Sequence, residues 1–418
     1  MPPQVNLLDL RYTRGVVKNL RSLRTAAVLS LVACAGVACS SDESSAPGSG
    51  GTGSGGQAAS GGGGSGGQAA SGGTGAGGGA GTGASGGAAT GGSSSDGGAG
   101  DSAAGGAPAG WLTVQNKRIT VAGKGVFRGR GANIHDTRSC NACTWGAPDV
   151  AEVKRRIDAL VDDWGANFIR LNLESYASAD GRVHWKGVND DAAYLADVVE
   201  IVKHIGTKPD TYVLVSLWVD PTFSGLGWPT TATHPLWKTL VKSLAGSGHV
   251  MFGLCNEPES NFNGAEDANA WKAMNDTVQV IRDEETSLGS YPHVITVQGT
   301  GAWARRLDYY VTHPITAGGG TNIAYEVHVY DPASEFQNMF VDPAKTLPVV
   351  IGEFGEQDAT QLMDLATQND IPHLAWTFHM RCPPNLLVEN SGGGCGQGMK
   401  LEPTAWGNVI KSRFAKPW

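Results

Sequence analysis

The sequence has no basic surplus, no bilayer-length apolar run and no phosphate-binding turn, and each absence removes a class of function. Lys and Arg number 31 against 39 Asp and Glu, a formal net charge of −8, so nothing in the balance attracts a nucleic acid backbone. The first 110 residues hold five basic and five acidic residues, which leaves 26 against 34 in the rest of the chain. A mildly acidic surface of that kind suits an uncharged polymer, since no phosphate or carboxylate has to be drawn in. The apolar run Ala26 to Ala38 is shorter than the roughly 20 residues that span a bilayer. No Gly-rich turn follows the first apolar strand, which argues against a doubly wound nucleotide-binding sheet. No His or acid spacing resembles a metal-ligand set, so neither a metal nor a cofactor is expected.

Large side chains are missing from Gly48 to Gly110, where about half of the 61 Gly residues lie among Ala, Ser and Thr. Ordering such a stretch costs entropy with nothing to bury in return, so residues 40–110 read as a disordered low-complexity linker. Ser54 to Ser60 recurs as Ser65 to Ser71, a repeat too short to be structural. Ahead of the linker, Arg11, Arg14, Lys18, Arg21 and Arg24 precede the apolar run, the pattern of an export signal. Leu31-Val-Ala-Cys34 and Gly36-Val-Ala-Cys39 both resemble the bacterial lipobox, whose cysteine is lipidated. Cys34 has the better residue three places upstream. Cys39 is preferred, because it leaves the longer apolar core and is followed by Ser40-Ser41-Asp42. Residues 1–39 therefore read as a lipoprotein-type signal, with an ordinary secretory signal as the alternative. The expectation is a monomer exported to the bacterial surface or outer membrane, or to the medium, touching the membrane only through its lipid.

From Trp111 to Trp418 short apolar runs alternate with longer amphipathic stretches, which predicts a parallel sheet with crossover helices. Strands are expected near Gly125–Ile134, Asn167–Leu173, Tyr212–Trp218, Val250–Leu254, His293–Gln298, Asn322–Val329, Leu347–Gly352 and His373–Phe378. Helices are expected at Pro148–Trp164, Asn189–Ile205, His234–Leu244, Ala268–Leu288, Ala359–Asn369 and Thr404–Phe414. Those lengths fit an α/β fold, the (β/α)₈ TIM barrel, over residues 111–418. Leu112–Val121 reads as a hairpin capping its bottom. Functional groups of such barrels sit at the C-terminal strand ends. The strand ends here carry His135, Arg170, Asn256 with Glu257, His328 with Tyr330, Glu353 and Trp376.

Two apolar strands each deliver one acid without a local basic partner: Val250 to Leu254 leads to Asn256-Glu257-Pro258, and Leu347 to Gly352 leads to Glu353. A carboxylate pair of this kind points to glycoside hydrolysis. Asn256-Glu257-Pro258, His328-Val-Tyr330, Gly352-Glu353-Phe-Gly355 and Trp376, in that order at barrel spacing, resemble glycoside hydrolase family 5, the cellulase family. The resemblance implies an acid/base role for Glu257 and a nucleophile role for Glu353. It also implies that Arg170 orients the nucleophile, Asn256 holds the sugar 2-hydroxyl, His328 and Tyr330 bond the two glutamates, and Trp376 forms a sugar floor. One departure stands out: the family usually ends its third strand in a histidine, and this chain has Trp218 there. His135 and His379 read equally well as subsite or structural residues, and Trp145, Trp228 and Trp303 as sugar platforms or packing.

The negative charge of Glu353 is expected to keep Glu257 protonated, with Arg170 and Tyr330 holding Glu353 ionised. The implied activity is a retaining, endo-acting hydrolase of a β-linked polysaccharide of cellulose, β-glucan or mannan type. The alternatives are an exo-acting glycosidase on oligosaccharides and a non-catalytic carbohydrate-binding barrel. Cys255, in an apolar run, is expected as a buried free thiol. Cys140, Cys143, Cys382 and Cys395 fall in loops that barrel closure makes neighbours, so three connectivities are open; the local pairs Cys140–Cys143 and Cys382–Cys395 are preferred.

Overall fold

The computed structural model describes residues 106–138, 149–173, 187–218, 227–258, 261–390 and 397–418. The signal, its Cys34 and Cys39, and nearly all of the linker lie outside them, as do Cys140, Cys143, Trp145 and Cys395. Three short strands come first: β1 (Leu112–Gln115), β2 (Arg118–Val121) and β3 (Gly125–Val126), paired antiparallel. Eight parallel strands then close a barrel: β4 (Arg130–His135), β5 (Phe168–Leu173), β6 (Tyr212–Leu217), β7 (Val250–Gly253), β8 (Val294–Gln298), β9 (Ile323–Val329), β10 (Val349–Phe354) and β11 (His373–Ala375). The first expected barrel strand is thus divided. Gly125 and Val126 extend the bottom hairpin, and the barrel begins at Arg130. The eighth strand ends at Ala375, short of the expected Phe378.

Side-chain parity organises the barrel. Along β5, Ile169, Leu171 and Leu173 face the surrounding helices, whereas Phe168, Arg170 and Asn172 alternate with them and face the axis. The lowest inward layer is apolar, with Phe168, Leu214, Met251, Val294, Ala324, Val350 and Leu374, and the hairpin residues Leu112, Ile119 and Val121 close it from below. Above that plug the inward positions turn polar. Burying them is tolerable only if they bond one another, since an unpaired buried polar group costs on the order of 1–3 kcal/mol.

The outer layer contains Val150–Asp158, Ala192–Gly206, His234–Leu244, Asp267–Ser287, Ala359–Gln368 and Ala405–Phe414, close to the expected helices. Asp149, Asp191 and Thr404 cap three of them through side-chain oxygens. The connections after β8 and β9 hold only short turns of helix, such as Asp308–Thr312 and Gln337–Val341.

Candidate active site

Glu353 should point outward by simple alternation, because Val349 and Ile351 do and Val350 does not. The pairing register of β10 shifts between Ile351 and Glu353 against β9, and between Ile351 and Phe354 against β11. This bulge turns Glu353 into the mouth and moves Phe354, inward by the same alternation, to the outer core. Glu257, the other acid, follows β7 in the left-handed backbone region at φ 44, a strained setting for a residue with a Cβ. Its N–H donates to Gln298 Oε1 at 2.6 Å, which fixes that turn.

Arg170 is fully buried and ties the two strand ends together. Its Nη1 donates to Glu353 Oε1 at 2.7 Å, to Asn172 Oδ1 at 2.8 Å and to Asn133 Oδ1 at 3.0 Å. Its Nη2 donates to Asn256 Oδ1 at 2.8 Å. Tyr330 Oη donates to Glu353 Oε2 at 2.8 Å, so both oxygens of Glu353 are held. His328 Nδ1 lies 2.8 Å from Glu257 Oε1 and 3.6 Å from Glu353 Oε1. The structure thus brings Arg170, Asn256, Glu257, His328, Tyr330 and Glu353 into one cluster.

The aromatic candidates divide. Trp376 is only 3% exposed, and Trp218 stacks with it at 6.1 Å and 14°. Trp218 Nε1 donates to Asn172 Oδ1 at 3.3 Å, which locks the third-strand departure into the polar layer. His135 packs edge-on against Trp218, Trp376 and His379. Trp228 is buried core. Trp303, at φ 57, donates its N–H to Pro258 O at 2.8 Å and meets the exposed Phe262 edge-on at 5.0 Å. Cys255 is a buried free thiol, as expected, and Cys382 is disulfide-bonded; its partner lies outside the described residues.

Sequence reasoning missed a third acid. Glu326, two residues before His328 on β9, is fully buried beneath the pair. Three groups converge on its Oε1: His328 Nε2 at 3.0 Å, Gln298 Nε2 at 3.1 Å and Arg170 Nε at 3.0 Å. Thr296 Oγ1 donates to Oε2 at 2.6 Å. The signal was available in the alternation, which puts Ala324, Glu326 and His328 on one face. Gly352 completes the cradle, since a Cβ there would stand 2.2 Å from Glu326 Oε1.

Charges in this layer move far from their ordinary values. Burial would raise Glu326, but Arg170, His328 and Thr296 outweigh it and pull the carboxyl down to about 2. Burial works against a charged His328, yet Glu353, Glu257 and Glu326 hold it up at about 9. Glu353 is pushed up to about 7 by burial and by Glu257, against the pull of His328, Arg170 and Tyr330. Burial therefore opposes an ionised Glu353, a force that the expectation of a protonated Glu257 leaves out. The two acids differ in exposure: the Glu353 side chain is 4% exposed, while that of Glu257 is 24% exposed and faces His328. Ligand atoms of Glu257, His328 and Glu353 lie within 4.8 Å of one another, close enough to hold a cation. Both nitrogens of His328 already face carboxylates, so the arrangement reads as a coupled acid pair.

Known proteins share this frame. The family model described as cellulase (glycosyl hydrolase family 5) matches residues 122–381. Endoglucanase E-5 of Thermobifida fusca is 23% identical over 243 residues, 53% of this chain and 47% of its own length. An endoglucanase of Halalkalibacter akibai is 24% identical over 183 residues, 41% of this chain and 21% of its own length. The chain spans less than half the length of these curated relatives. Among solved structures, cellulase Cel5C_n superposes with a TM-score of 0.58 at 20% identity, covering 74% of this chain and 93% of its own. A β-mannanase from Streptomyces thermolilacinus with mannohexaose gives 0.51 at 18% identity, covering 74% and 99%. Both share the barrel. With the family model spanning well over half of its residues, the chain belongs to glycosyl hydrolase family 5, the cellulase family.

Proposed function

We propose that this protein is a retaining, endo-acting hydrolase of a β-linked polysaccharide of cellulose or mannan type. One observation carries the reading: oxygens of Glu257 and Glu353 lie within 4.8 Å of each other across the barrel mouth. Retaining enzymes hold their carboxyls about 5 to 5.5 Å apart, and inverting ones about 6.5 to 9.5 Å to admit a water. Glu257 gives its proton to the glycosidic oxygen as Glu353 attacks the anomeric carbon, and the aglycone departs. Water then cleaves the glycosyl ester, with Glu257 taking the proton. Arg170 and Tyr330 both donate to Glu353, so that carboxylate holds the negative charge when the proton shared by the pair moves to Glu257. Asn256, fixed by Arg170, is placed to hold the sugar 2-hydroxyl, and Trp376 with Trp218 and His135 forms the glycone wall.

The names of the relatives support a β-glycan substrate: endoglucanases in sequence, cellulases and β-mannanases in fold. Reducing-sugar release from a panel of polysaccharides, with product sizes measured, tests substrate and mode together. Internal cleavage products are expected; monomer or dimer alone would make the enzyme exo-acting, and no release would make the barrel a binding module. Proton NMR of the first product is expected to show the substrate's own anomer. The opposite anomer would sink the mechanism even if both glutamates proved essential. The export signal and Cys39 add a tether to the outer face of a bacterial envelope, with a linker of about 65 residues reaching roughly 40 to 50 Å.

A further inference from the structure

We propose that Glu326 is a positioning residue that neutralises one of the two buried cations and thereby leaves the Glu257–Glu353 pair with one proton to use. The inference rests on the glycosidase reading of those two acids. Its basis is the arrangement of charges. From Glu326 Oε1, one line runs through the His328 ring to Glu257 and a second through the Arg170 guanidinium to Glu353. An imidazole donates at both nitrogens only as the cation, and here both nitrogens face carboxylate oxygens at 3.0 and 2.8 Å. Three carboxyls therefore face two cations. A buried cluster is stable near neutrality, and one proton shared by Glu257 and Glu353 makes it neutral. Without the Glu326 charge, the two cations would balance the two catalytic carboxylates fully ionised, and the acid would have no proton to give. The other neighbours of Glu326 cannot take its place. Thr296 and Gln298 on β8 are uncharged, Gly352 on β10 has no side chain, and burial pushes the nearby Cys255 thiol well up and keeps it neutral.

The test is the pH dependence of Glu326→Gln. Removing a negative charge lowers the proton affinity of every group around it, so the alkaline limb of kcat/KM should move down by about 1 to 3 pH units. KM for polysaccharide should stay near the wild-type value. Glu326→Asp, which keeps the charge, should restore most of the limb. A folded Glu326→Gln whose limb coincides with wild type overturns the proposal, whatever its kcat. If that variant does not fold, imidazole ¹⁵N NMR of the wild-type protein decides: His328 should keep both protons above pH 8, and titration near 6.5 would refute the inference. The NMR readout needs no turnover, so an inactive wild type would count against the glycosidase reading and leave this test standing.

Discussion

Gly352→Ala should disable the site from a buried position behind Glu326. The new methyl would stand 2.2 Å from Glu326 Oε1 and 2.7 Å from the Glu326 Cγ and Cδ atoms. Ordinary contact needs about 3.4 Å or more, so that oxygen must retreat by more than about 1 Å. The contacts from His328, Gln298 and Arg170 converge on the same oxygen at 3.0 to 3.1 Å. Displacement lengthens the two hydrogen bonds, from His328 and Gln298, and the Arg170 ion pair. Overpacking costs about 1 to 3 kcal/mol and each lost bond to a charged group about 1.5 to 3 kcal/mol. With the carboxylate partly relaxed, about 3 kcal/mol of destabilisation is expected, or a fall in Tm of roughly 5 °C for a domain of this size, at about 2.1 cal/mol/K of unfolding entropy per residue. A misplacement of about 1 Å costs about 10²-fold in rate, so kcat should fall by that factor in the protein that remains folded. Thermal unfolding and kcat/KM on soluble β-glucan or mannan measure the two effects. A variant that keeps half of the wild-type kcat with an unchanged Tm would show that the Glu326 cradle does not support the pair.

Glu353→Gln should abolish turnover while isothermal titration still detects oligosaccharide binding; measurable turnover would remove Glu353 from the nucleophile role. Glu257→Gln should slow polysaccharide cleavage by about 10² to 10⁴-fold and activated aryl glycosides far less. In that variant the limb near pH 7 set by Glu353 should also move to lower pH, because a neighbouring negative charge is gone; equal losses on both substrates would contradict the acid assignment. Replacing Cys34 and Cys39 together by Ser should release active enzyme into the medium, and a double variant that remains in the membrane fraction would refute lipid anchoring.

The barrel was legible because its physics is local. Apolar runs of strand length, caps such as Asp149 and Thr404, and amphipathic stretches such as His234–Leu244 carry their signals within a few residues. The errors fell where a partner elsewhere decided the outcome. Gly125-Val126 read as the start of a barrel strand, but it pairs with β2, and nothing in two residues says which neighbour they will find. Glu353 was read as following its strand, whereas it lies within β10 and is re-aimed by a bulge that only the neighbouring registers reveal. The proton is expected on Glu257 because Arg170 and Tyr330 are expected to hold Glu353 ionised, and the burial that opposes that charge is a tertiary quantity.

Glu326 shows where sequence reasoning reaches its limit. Parity alone places it on the inward face with Ala324 and His328, and an inward acid in a buried strand is a warning that a cation must be near. Which cation is another matter. Arg170 comes from β5, Gln298 and Thr296 from β8, and the vacant space that admits the carboxylate from Gly352 on β10. Each of those residues has an ordinary local explanation: a strand-end arginine for a salt bridge, a threonine and a glutamine at strand positions, a glycine before the acid. Only their convergence on one carboxylate turns the acid from a cost into the group that sets how many protons the two glutamates above it hold.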